Sequence, residues 1–362
     1  MRQDRARPLP RRAAPRGVRH GRDLIEAHPG LTSRVELFGA HAPLVLESGA
    51  RLAPVEVAYA TYGTLDAAGS NAVFVLHALT GDAEAVVWWD TLVGPGKPVD
   101  TDRFFVICPN LLGGCRGTTG PSSVNPATGE PYGLDFPLFT VRDLVTVHRA
   151  LLAHLGVTRL HTAIGGSLGG MQALQWALDH PAELERAVLV CASAKLSAQN
   201  VAFSKTARAA IRRDGAAGMA FARMLAHITY LSVEGMELKF GRARRAEGPM
   251  TMDSDFEVEH YLDHQAEIFL ARFDPFTYLY LSRVMDYFDP FADGPPRPDT
   301  RFLAISFDSD WRFGTEHSVH LTRELEALGA DVRHHEVRSP WGHDSFLMAV
   351  PEYHALVAAF LG

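Results

Sequence analysis

Cysteine is scarce. The 362 residues contain three, Cys108, Cys115 and Cys191, too few for a disulfide framework and with no pair at zinc-site spacing. Such usage fits a reducing compartment, the cytoplasm, and no metal site is expected. Long hydrophobic runs are missing too. None approaches the roughly 18 residues needed to span a bilayer, so no membrane partner is expected. Residues 1–22 hold eight arginines, with Pro8, Pro10 and Pro15 among them and no apolar segment, which excludes a secretory signal. The prolines oppose the amphipathic helix of an organellar transit peptide. Residues 1–30 therefore read as a disordered basic tail, with a phosphate-binding arm as the sharper alternative. The chain as a whole lacks positive charge. Its net charge of -7 argues against a nucleic-acid partner.

What is present is a rhythm of strands and helices. Short strands are expected at 34–38, 44–46 and 55–61, the last with alternating side chains. Nearly continuous apolar runs at 71–77, 104–108, 160–164 and 187–191 read as buried parallel strands. A helix over 141–155 places Leu144, Val147, Leu151 and Leu155 on one face and stops at Gly156. Strand signals cease over 194–298 and resume at 301–307, with a helix over 319–328, a strand over 332–337 and a closing helix over 352–360. This pattern predicts an α/β fold, a mostly parallel sheet flanked by helices, made from residues 31–193 and 299–362. Residues 194–298 form an inserted helical lid.

The organising stretch is Gly165-Gly166-Ser167-Leu168-Gly169-Gly170, between an apolar strand and the helical run Met171–Leu178. In that context Gly-x-Ser-x-Gly is a nucleophile elbow, which holds a serine exposed in a strained turn at a helix N-terminus. A serine hydroxyl needs an imidazole to take its proton, and the imidazole needs a carboxylate. The acid should follow the strand after the lid, where Asp308 and Asp310 both qualify by position. The base should follow the last strand, where His343 stands. Two backbone amides should form the oxyanion hole, those of Leu168 and of Leu79 in the loop after His77.

These stretches resemble the homoserine O-acetyltransferase family of the α/β-hydrolase superfamily. The resemblance rests on His77-Ala78-Leu79-Thr80-Gly81-Asp82, on the run from Asn110 to Ser123 (NLLGGCRGTTGPSS), on the elbow continued through Met171-Gln172-Ala173-Leu174, on Tyr278-Leu279-Tyr280-Leu281, on Met285-Asp286-Tyr287-Phe288-Asp289, and on Ser309-Asp310-Trp311 and Gly342-His343-Asp344. It implies an α/β-hydrolase fold and two-step acyl transfer from acetyl-CoA, a co-substrate, with no permanently bound cofactor. The acceptor would be the side-chain hydroxyl of L-homoserine, in methionine biosynthesis. It selects Asp310 over Asp308 as the triad acid. It also implies that Asp344 receives the homoserine ammonium and that Arg208 receives its carboxylate. A lid position where relatives often carry a substrate-side tyrosine has no clear match.

Alternatives remain open at this point. A succinyltransferase acting on homoserine or serine would use the same machinery, and water as acceptor would make the protein an esterase. The basic lid residues Arg212, Arg213, Arg242, Arg244 and Arg245 offer a surface for coenzyme A phosphates. Relatives suggest a homodimer joined through the lid, for which the aromatic-rich 269–288 segment is a candidate.

Overall fold

The computed structural model describes residues 32–362, so the expected basic tail lies outside the described residues. The chain opens with β1 (Ser33–Phe38), the small hairpin β2 (Leu44–Val45) and β3 (Arg51–Leu52), and β4 (Val55–Tyr62). β5 (Ala72–Leu76) passes through α1 (Ala85–Trp88) and the short pair β6 (Val93–Gly94) and β7 (Val99–Asp100) to β8 (Phe105–Pro109). Then come α2 (Val141–His154), β9 (Leu160–Gly166), α3 (Leu168–Asp179) and β10 (Leu184–Val190). Five helices follow: α4 (Ala198–Asp214), α5 (Ala216–Tyr230), α6 (Val233–Lys239), α7 (Glu257–Arg272) and α8 (Pro275–Asp286). β11 (Arg301–Phe307), α9 (Thr315–Ala327), β12 (Asp331–Val337), a 3-10 turn (Gly342–Leu347) and α10 (Pro351–Leu361) complete the chain.

Eight strands form one sheet in the order β1-β4-β8-β5-β9-β10-β11-β12. From β8 to β12 neighbours run parallel, while β1 and β4 are antiparallel additions at one edge. The apolar run of β5 shows why the parallel strands lack alternation. Phe74 and Leu76 enter the core on one face, packed with Trp176 and Leu151, whereas Val73 and Val75 pack on the other with Trp89 and Tyr353. Covered on both sides, the strand needs apolar residues at every position. β12, at the open edge, keeps charged residues (DVRHHEV), which discourage pairing with a further strand.

The five lid helices all lie within 194–298. They carry a core of their own, including Ala207, Ile211, Met219, Ala222 and Phe269. A Cβ on Gly218 would stand 2.0 Å from the Ala210 carbonyl oxygen, so a glycine is required where α5 leaves α4. The 269–288 segment is largely part of the interior: Phe269, Phe273, Tyr278, Tyr280 and Phe288 are buried, leaving Phe276 and Tyr287 exposed. No helix among the described residues is long and apolar enough to cross a membrane.

The run from Asn110 to Ser123 acts mainly as a fastener. Thr118 Oγ1 accepts from the Ala58 amide and donates to the Asn110 carbonyl, and Thr119 Oγ1 accepts from the Glu56 amide. The loop thereby satisfies backbone groups of β4 that no strand covers.

Candidate active site

Ser167 sits between β9 and α3 with φ 57° and ψ -123°, in the left-handed half of the map that non-glycine residues rarely enter. Its neighbours make the turn possible. A Cβ on Gly165 would lie 2.3 Å from the Gly169 carbonyl carbon, and one on Gly169 would lie 2.0 Å from the Leu76 oxygen. The turn is thus pressed against both itself and the end of β5. Ser167 donates its amide to the Val190 carbonyl at 2.9 Å, and the residue is 7% exposed.

The ends of β11 and β12 supply the expected acid and base. His343 Nδ1 and Asp310 Oδ2 lie 2.7 Å apart, both buried. Asp310 Oδ1 accepts from the amides of Arg312 (3.0 Å) and Phe313 (2.8 Å). Burial raises the proton affinity of Asp310, but His343 and the two amides outweigh it and hold the carboxyl below its ordinary pKa. Asp308 serves the backbone instead. Its Oδ1 accepts from the Ser339 amide and anchors the loop after β12. The imidazole of His343 stacks on Phe313 at 4.9 Å and meets Phe346 at 5.6 Å and Tyr230 at 5.7 Å. Phe346 also links base to elbow, because its ring leaves 2.7 Å for a Cβ on Gly166. The buried Cys191 thiol lies within 4.8 Å of the nearest polar atoms of this pair, and burial pushes its pKa well up.

Both expected oxyanion donors are at the same end of the sheet. Leu168 is the first residue of α3, where an amide has no intrahelical acceptor. Among the described residues the Leu79 amide has no hydrogen-bond acceptor either. Gln172 ties the two elements together: its Nε2 donates to the carbonyls of His77 (3.3 Å) and Leu168 (3.1 Å), while its Oε1 accepts from His148 Nε2 at 2.8 Å. From the lid, Arg272 Nη1 donates to the Thr80 carbonyl at 2.9 Å.

The structure redirects one expectation. The Arg208 guanidinium pairs with Asp286 at 2.5 Å and donates to Ser282 at 3.2 Å, joining α4 to α8. Its fork is engaged by a buried carboxylate, which a homoserine carboxylate would have to displace. Arg223 on α5, by contrast, has no carboxylate partner among the described residues. Its Nε is buried without a hydrogen-bond partner, and its guanidinium stands 4.6 Å over the Phe269 ring. Sequence reasoning missed it although a signal existed: Arg223 is the one Lys, Arg, Asp or Glu in the apolar stretch AAGMAFARMLAHITY. Tyr230, two turns further along α5, meets the His343 ring and is a candidate for the tyrosine without a sequence match. Asp344 is enclosed by protein yet partly accessible, and among the described residues its carboxylate has no ion-pair or hydrogen-bond partner. Burial raises its pKa, against the attraction of His343, Arg223 and Lys239. Lys239 rests 3.9 Å over the Tyr261 ring, and burial lowers its pKa to about 8.

Four of the five lid arginines expected to form a basic surface are engaged locally. Arg213 pairs with Asp214 and Arg244 with Asp255, while Arg245 meets His260 and Arg242 lies over Phe256.

A strained serine above a parallel sheet, with an acid–imidazole pair at neighbouring strand ends, defines the α/β-hydrolase class, and a model of the alpha/beta hydrolase fold matches residues 71–349. A homoserine O-succinyltransferase from Nocardioides sp. is 55% identical, over 91% of this chain and 98% of that protein. A homoserine O-acetyltransferase from Rhodopseudomonas palustris is 45% identical, over 92% of this chain and 91% of its own length. Among solved structures, a homoserine O-acetyltransferase from Bacillus anthracis aligns with a TM-score of 0.82 at 25% identity, over 92% of this chain and 98% of that one. The chain belongs to the homoserine O-acyltransferase family.

Proposed function

We propose that the protein transfers an acetyl group from acetyl-CoA to the side-chain hydroxyl of L-homoserine through an ester on Ser167. In the first half, Ser167 Oγ attacks the thioester carbonyl while His343 takes its proton. The tetrahedral oxyanion rests on the amides of Leu79 and Leu168. Its collapse breaks the carbon–sulfur bond, and the thiolate leaves with the proton returned by His343. In the second half, His343 takes the proton of the homoserine hydroxyl, whose oxygen attacks the ester. Collapse frees Ser167 as His343 returns the proton. Asp310 holds the imidazole tautomer and stabilises its cation throughout.

One observation carries this reading: an uncommitted carboxylate, Asp344, lies within electrostatic reach of both His343 and an uncommitted guanidinium, Arg223. A free amino acid has the opposite arrangement, an ammonium and a carboxylate on one carbon. Asp344 receives the first and Arg223 the second, with bidentate geometry suited to a carboxylate. An ordinary ester acceptor site has no use for both charges.

Succinyl-CoA is the second reading of the donor. The relative sharing 55% identity carries that name. Arg312, two residues after Asp310, also stands 5.5 Å over Tyr230 and donates to Thr229. A dicarboxylic acyl group would find a cation there. Thiol release from acetyl-CoA and succinyl-CoA, each with homoserine, serine and no acceptor, separates these readings. Fast release without acceptor would instead identify an esterase. A lid-mediated homodimer is also proposed, supported by exposed Phe221 and Ile228, one face of α5 two turns apart, and tested by sedimentation.

A further inference from the structure

The loop that carries the Leu79 amide lies directly on a buried histidine outside the triad. His77 directly follows β5 and is fully enclosed. Its Nδ1 lies 2.7 Å from the Ala78 carbonyl oxygen, and its Nε2 lies 3.2 Å from the Leu111 amide nitrogen. These partners determine the tautomer. A carbonyl only accepts and a backbone amide only donates. Nδ1 therefore carries the proton, and Nε2 offers its lone pair to Leu111. Asn110 Oδ1, 3.2 Å from Nε2, would then set acceptor against acceptor. Turning that amide over removes the conflict, and it also gives a partner to Asn110 Nδ2, which otherwise has none though buried. Burial lowers the pKa of His77, which keeps the ring neutral.

The Ala78 carbonyl belongs to the same peptide group as the Leu79 N–H. Donation to that oxygen draws electron density away from the nitrogen and makes its N–H a stronger donor. We propose that His77 is a positioning residue for the oxyanion hole, its Nδ1 proton polarising and orienting the Ala78–Leu79 peptide whose N–H receives the developing oxyanion. The surroundings hold this peptide still. A Cβ on Gly81 would lie 2.8 Å from His77 Cβ and 3.1 Å from Nδ1, so the loop can close over the ring only at a glycine. Gln172 clamps the His77 carbonyl from the α3 side, and Arg272 clamps the Thr80 carbonyl from the lid. Arg116, 3.6 Å from Asp82, braces the far end of the loop.

Two amide replacements of His77 separate polarisation from simple support. In His77→Asn the amide nitrogen falls near Nδ1 and can still donate to Ala78. In His77→Gln the longer side chain reaches the Nε2 position and can accept from Leu111 but leaves the Ala78 oxygen with the Gly81 amide, 3.0 Å away, and no imidazole donor. The expected result is an acylation rate with acetyl-CoA about tenfold lower in His77→Gln at unchanged KM, and within about threefold of the native rate in His77→Asn. A His77→Gln enzyme at the native rate, or a His77→Asn enzyme as slow as the Gln variant, overturns the proposal. Should either variant fail to fold, histidine-selective NMR of the unaltered protein decides. A neutral ring protonated at Nδ1 upholds the assignment, and protonation at Nε2 overturns it. The kinetic arm rests on the acyl-transfer reading. Turnover surviving in Ser167→Ala would defeat that reading and leave the NMR outcome untouched.

Discussion

The C-terminal ends of the parallel strands and the lid solve different problems with different materials. At the strand ends, position is set by backbone: a serine at φ 57°, glycines pressed within 2.0–2.3 Å of neighbouring chain, and an aspartate held by two amides. These constraints act through close backbone contacts and backbone hydrogen bonds, and they leave marks in residue type. In the lid, position is set by helices packing side chain on side chain. Arg208 and Arg223 show the consequence. Both are lid-helix arginines, yet one is neutralised by Asp286 while the other has no carboxylate partner among the described residues. Residue type cannot distinguish them; only the neighbour brought by another helix does.

Removing the nucleophile breaks the strand-end half outright. Ser167→Ala is expected to lower thiol release from acetyl-CoA by about 10³-fold or more while leaving the melting temperature near native. Acetylation persisting on another residue by mass spectrometry would contradict the assignment. The two arginines sharpen the contrast directly. Arg223→Ala is expected to raise the homoserine KM about 100-fold with acyl-enzyme formation nearly unchanged. Arg208→Ala should leave that KM within about threefold and instead cost roughly 2 kcal/mol of stability, because Asp286 loses a buried partner. Arg283, 3.1 Å from the same carboxylate, moderates that loss. Interchanged outcomes would restore Arg208 as the acceptor residue.

Asp344 offers a test by pH. Its carboxyl is raised above the ordinary range by burial, so it takes up a proton at a higher pH than an exposed aspartate. The neutral form loses its attraction for an ammonium. Homoserine KM is therefore expected to rise about tenfold as pH falls through that pKa, and Asp344→Asn should show the raised KM at every pH. Equal damage to both half-reactions would place Asp344 with the triad instead. The smallest expected change concerns the donor. Arg312→Gln should lower the succinyl-to-acetyl rate ratio about threefold to tenfold if the succinyl reading holds, and leave it unchanged otherwise.

The same divide separates what is legible in the chain from what is not. β11 runs over 301–307 as expected, and α2 closely follows its apolar spacing. The elbow helix begins at Leu168, three residues before the expected start, because the glycines that mask helical propensity are held there by contact with β5 and β10. Asp308 and Asp310 are equivalent by position. Their separation follows from a two-residue difference in which amide or imidazole each carboxylate meets.

By itself the sequence determined the order of the main parallel strands and their flanking helices, the elbow and the candidate slots for acid and base, since apolar periodicity and obligatory glycines are local properties. The pairing of side chains far apart in the chain belongs to the tertiary structure alone: which arginine stays free of Asp286, which tyrosine meets His343, and which tautomer His77 adopts beneath the Leu79 peptide. Those outcomes depend on charges and hydrogen-bond partners that meet only when the helices pack; the apolar setting of Arg223 marks it locally, but its partners are not encoded there.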